Sequence, residues 1–71
     1  MTNMQKGDLV YIPAETTLFV KDNQGSIKKL MKLCQPANLL VVDMLNEEYK
    51  VLYENNEWLV KKNKTYGVRN D

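Results

Sequence analysis

The sequence predicts a small all-β fold: a strongly bent antiparallel barrel of five to six strands, with one long loop or hairpin and one 3-10 turn. Three observations lead there. Residues 38–71 read as three short strands joined by two tight turns, then a single helical turn and a closing strand. Near the N-terminus, Lys6-Gly7-Asp8 precedes LVYIP, a glycine turn opening a β-branched and aromatic run. Between these, residues 16–22 (TTLFVKD) have strong β propensity.

In chain order, Val10 and Ile12 share one face of the first run and Leu9 and Tyr11 the other. The aliphatic pair is assigned to the interior. Proline cannot donate to a sheet ladder, so this strand ends at Pro13 or runs along an edge there. Asn23-Gln24-Gly25 reads as a turn, with glycine supplying a positive φ. The following SIKKLMKLCQ admits two readings. Ile27, Leu30, Met31 and Cys34 fall at helical spacing. Alternatively, the segment returns as a strand against residues 16–22. The hairpin is favoured, because the helix has no better N-cap than Ser26 and is barely longer than two turns. Pro36 ends either element.

In LLVVDML, Asp43 marks its own face as outward, so Leu40, Val42 and Met44 are expected to point inward. Asn46-Glu47-Glu48 forms the next turn. YKVLYE and EWLVKK then flank Asn55-Asn56, and Asn tolerates the left-handed geometry of a two-residue hairpin loop. That loop pairs Tyr53 with Trp58, Leu52 with Leu59 and Val51 with Val60. Tyr49, Val51, Tyr53, Trp58 and Val60 then share the core face, and Lys50, Leu52, Glu54, Glu57, Leu59 and Lys61 the outer one. One strain follows: Glu54 and Glu57 stand directly opposed. NKTYG reads as a turn of 3-10 helix, and Val68 starts a last strand paired with the first.

Composition bounds the function. The 71 residues form one domain, 1–71, at 44% hydrophobic and 27% charged, ordinary values for a globular chain. So short a chain buries only about 60% of the surface it exposes when unfolded, which makes self-association a reasonable expectation. The longest apolar run, 39–42, is far below the ~20 residues of a membrane span. MTNMQKGD has no apolar core, so no secretory signal is expected. A lone cysteine, Cys34, fits a reducing cytoplasm. The net charge of +1 exerts no global pull on nucleic acid. Histidine is absent, which removes the commonest general base, metal ligand and partner of a nucleophile. With one cysteine besides, a tetrahedral zinc site lacks ligands. The chain is therefore expected not to be an enzyme and to carry no metal or cofactor.

Taken together, GDLVYIP (7–13), LLVVDML (39–45), YKVLYE (49–54) and EWLVKKNKTYGV (57–68) resemble, in order and spacing, an SH3-like barrel. The resemblance implies that residues 14–37 occupy the place of the long RT loop. A stand-alone barrel of this size also resembles the small proteins of tailed bacteriophages, including those of cyanobacteria, which implies a host-cytoplasmic setting. The proline-peptide groove of eukaryotic SH3 domains is not implied. It needs an acidic RT loop and a tandem tryptophan, whereas here the segment carries Lys28, Lys29 and Lys32, and Trp58 stands alone in the inferred core.

Two surfaces remain as candidates. Leu52 and Leu59, with Leu9, Tyr11 and Val41 on neighbouring strands, form an expected outward apolar patch for a protein partner or a second copy. The bland alternative is that residues 14–37 fold over it as a second mini-core. Lys28, Lys29 and Lys32, and separately Lys61, Lys62, Lys64 and Arg69, are the alternative: phosphate-binding clusters of a nucleic-acid barrel. Such binders interleave exposed aromatics, for which only Tyr11 and Tyr66 qualify, so solvated lysines guarding sheet edges are the simpler account. Asp43, Glu47, Glu48, Glu54 and Glu57 read as a solvated rim rather than a carboxylate pair for catalysis. Cys34 reads as a small buried hydrophobe. The favoured function is a non-catalytic module docking on protein.

Overall fold

Residues 4–67 are described by a computed structural model. They form β1 (Leu9–Ile12), β2 (Thr17–Lys21), β3 (Ile27–Lys32), β4 (Ala37–Met44), β5 (Glu48–Tyr53), β6 (Asn56–Lys61), a 3-10 turn (Lys62–Lys64) and β7 (Tyr66–Gly67). All pairings are antiparallel, in one sheet ordered β3-β2-β6-β5-β4-β1-β7. Seven strands stand where five to six were expected, and the sheet is not closed. β3 and β7 end it without pairing to each other. None of the described residues forms a helix long and apolar enough to cross a membrane.

Side-chain alternation lets one face of this curled sheet supply the core. Val10, Ile12, Leu18, Leu33, Leu39, Val41, Val51 and Val60 cluster there, with Tyr49, Tyr53 and Trp58 packed against them. The inward assignment of Val10 and Ile12, and the shared core face of the β5–β6 residues, agree with this cluster. β1 begins from a turn in which Gly7 has φ 91°, the Gln5 N–H donates to Asp8 Oδ2 at 2.9 Å, and the Gly7 N–H donates to the Val41 carbonyl at 2.8 Å.

Of residues 26–35, Ile27–Lys32 turn back as a strand, and the reason is local. Asp22 Oδ1 accepts from the N–H groups of Gln24 (2.9 Å) and Ser26 (3.0 Å), and Gly25 sits at φ 84°. This closes a hairpin before a helix can nucleate. The apparent helical stripe is not a buried face: Ile27, Leu30 and Cys34 are exposed and only Met31 packs against the core, half-buried, while Leu33, off that stripe, is 1% exposed. Cys34 is thus not the buried hydrophobe expected.

Two registers differ from expectation. In β4, Leu40 pairs with Leu52 and Val41 with Val51, but Asp43 pairs with Lys50. Val42 is therefore an extra, bulged residue. Met44, expected inward, pairs with Tyr49 but is 39% exposed, and Val42 is half-buried at the bulge; before the bulge, alternation counted back from Asp43 puts every side chain on the wrong face. Leu39 and Val41 point inward and Leu40 outward, the reverse of the expected assignment. In the β5–β6 hairpin the two-residue loop is Glu54-Asn55, with φ 52° and 66°, rather than Asn55-Asn56. Val51 then pairs with Trp58 and Tyr53 with Asn56. The slip is two residues, so both faces survive it. Glu57 no longer opposes Glu54 but lies across from Leu52, and its Oε1 is 3.9 Å from Lys50 Nζ. β7 pairs with β1 through Tyr66 and Gly67. The strand start expected at Val68 lies outside the described residues.

Candidate docking surface

The face of β1, β4, β5 and β7 that turns away from the core carries an apolar line. Leu9 pairs with Leu40, and Leu40 with Leu52. They are 43%, 38% and 41% exposed. With strands about 4.8 Å apart, the three leucines stand side by side across roughly 10 Å of sheet. Tyr11 pairs with Tyr66 on the same face, with ring centroids 6.3 Å apart in a tilted arrangement. Two lysines beside this face lie against carboxylates of the same chain. Lys50 reaches Glu57, and Lys6 Nζ lies 3.7 Å from Asp43 Oδ1. The Met44 N–H donates to that same Asp43 oxygen at 2.8 Å. This hydrogen bond first, and the Lys6 ammonium second, hold the Asp43 carboxyl below its ordinary range.

Of the residues expected to form a protein-binding patch, Leu9, Tyr11 and Leu52 are here. Val41 and Leu59 are not. Val41 is fully buried in the core because of the bulge at Val42. Leu59 is 7% exposed, because β2 lies against β6 and places Phe19, itself 5% exposed, directly beside it. The second mini-core expected as the alternative thus covers Leu59 while leaving Leu52 open. Leu40 takes the place of Val41. Only the bulge could have revealed it, and nothing in LLVVDML marks one. Tyr66 was legible as an exposed aromatic but not as the partner of Tyr11.

The lysines do not form one surface. On β3, Lys32 shares the outer face with Leu30, Lys29 pairs with Val20 on the opposite face, and Lys28 sits at a register shift. Lys61 and Lys64 line a groove on the outer face of β2 and β6, while Lys62 Nζ lies 5.2 Å from the Tyr49 ring centroid. Arg69 lies outside the described residues.

That groove has a volume of about 590 Å³. Phe19 forms part of its lining, Ile27 and Leu30 its β3 side, and Lys21 and Glu48 contribute an ion pair of 3.3 Å. Glu48 is 9% exposed, so it does not belong to the solvated rim expected of it. The carboxylates do not converge: Asp43, Glu48 and Glu57 each meet a different lysine, and Glu47 and Glu54 are exposed beside separate turns. No family model matches this chain, and neither comparison with curated proteins nor comparison with solved structures yields a match.

Proposed function

We propose that this chain is a small, non-catalytic binding module of SH3-like type that docks on protein through Leu9, Tyr11, Leu40, Leu52 and Tyr66. The observation that carries the docking reading is the Leu9–Leu40–Leu52 line, three exposed leucines paired strand to strand beside the Tyr11–Tyr66 pair. A contiguous apolar line costs a monomer solubility unless something covers it. The SH3-like reading is supported by the order of parts: β1 pairs with both β4 and β7, β4–β6 form a meander, and a 3-10 turn precedes the last strand.

The occupant that matches best is a second copy. Because Lys50–Glu57 and Lys6–Asp43 are paired within the chain, the face projects no strong single-sign field to select an oppositely charged partner. An isologous contact would lay this apolar line against the same line of a second copy. Sedimentation equilibrium tests it: the wild-type chain should form dimers that high salt does not dissociate. Leu40→Lys plus Leu52→Asp should leave a folded monomer, because both side chains already meet water and the cross-strand pair they form carries opposite charges. A wild-type chain monomeric at high micromolar concentration removes the second copy as occupant. A photocrosslinker at position 52 then decides the wider reading. If it captures protein no better than one at Asn46, the docking face is wrong.

A further inference from the structure

We infer that β3 is a docking edge for an extended, acidic strand of a partner protein, separate from the leucine face. Among the described residues β3 pairs only with β2, so its other side presents backbone N–H and C=O groups that no described strand pairs. Its sequence, IKKLMK, holds three cations and no acid. Among the described residues no carboxylate lies within ion-pair distance of Lys28, Lys29 or Lys32. Ile27 and Leu30, at 56% and 64% exposed, are among the most open apolar side chains described.

The charge decides who can pair there. A second copy of β3 would crowd six lysines along one strand pair with no carboxylate among them, and like charges so close together are destabilising. Lysines at an open edge repel cationic strands and disfavour uncharged ones. They do not repel a strand bearing carboxylates. Alternation supplies the rest. A strand added beside β3 sends its side chains alternately to the two faces of the sheet. On one face they extend the Ile27–Leu30 wall of the 590 Å³ groove. On the other they approach Lys28 and Lys29, which border a hollow of about 210 Å³ with Val20 and Trp58. Backbone bonds would provide affinity, and these two linings the side-chain preference.

A short blocked peptide alternating Glu with Val or Leu is the probe, read by amide hydrogen exchange on the full chain. It should slow exchange in residues 27–32 by about tenfold or more while leaving β7 unchanged. Binding should weaken as salt rises. The same peptide N-methylated at alternate backbone nitrogens should bind at least about tenfold more weakly. Lys28→Gln, Lys29→Gln and Lys32→Gln together should abolish binding with no change in the chain's own melting, since all three side chains are exposed. Equal binding of the N-methylated peptide overturns the proposal, because the contact is then charge alone. Protection at Leu9, Leu40 and Leu52 instead, absence of binding, or tighter binding of an oligo-dT strand to the same residues overturns it equally.

Discussion

Single residues here divide by face rather than by type. Leu33 is 1% exposed and Leu52 41%, although both are leucines in a β-rich chain. Leu33→Ala should cost about 2–5 kcal/mol by opening a cavity. Leu52→Ala should stay within about 0.5 kcal/mol, since no buried contact is lost. Urea unfolding of the two variants measures the contrast; equal losses would place Leu52 in the core. Asp43 provides a pH test. Its carboxyl is held below the ordinary range by the Met44 N–H and Lys6, so its stabilisation is complete above the unfolded value of about 3.9. It is lost as the pH falls through the lower folded value. The melting-temperature gap between wild type and Asp43→Asn should therefore be constant near neutrality and close only in acid.

At the scale of elements, two local features set the registers. The β5–β6 loop places Glu54 and Asn55 at positive φ, the geometry of a type I′ turn, which glutamate adopts reluctantly. Glu54→Asn with Asn55→Gly should raise stability by about 1 kcal/mol without changing the sheet, seen as a higher denaturation midpoint at unchanged slope. If stability drops, the loop is not the one described. The β2–β3 hairpin depends instead on Asp22, whose side chain accepts from Gln24 and Ser26. Asp22→Ala removes both bonds and should cost about 1–2 kcal/mol, with amide exchange in β3 accelerating before the rest of the sheet.

For the whole molecule, an unclosed sheet leaves two different ends. Among the described residues β7 covers Tyr66–Gly67, whereas β3 runs six residues, and its lysines turn away cationic strands. The outer surface is correspondingly divided. The leucine line lies on β1, β4 and β5, and the Phe19–Leu59 contact seals the adjoining part where β2 meets β6. A domain of this size has a total stability of roughly 4–10 kcal/mol, so a single lost core contact is a large share of it. Covering the leucine line in a dimer would add to that margin. Apparent stability should therefore rise with protein concentration in the wild type but not in the Leu40→Lys, Leu52→Asp variant.

What the sequence determined by itself was anything set by near neighbours. The glycine turn into β1, the end of that strand before Pro13, the return of Ile27–Lys32 as a strand and the shared face of Tyr49, Val51, Tyr53, Trp58 and Val60 all follow from short-range chemistry and period-two alternation. The tertiary structure alone decided the rest. Alternation passes information along a strand only until a bulge breaks it, and the bulge at Val42 is stabilised by pairing with β5, a partner that the β4 sequence does not contain. Leu59 is likewise buried because Phe19, forty residues earlier in the chain, comes to rest beside it. Which leucines meet water is thus a property of strand pairing, and pairing is not local.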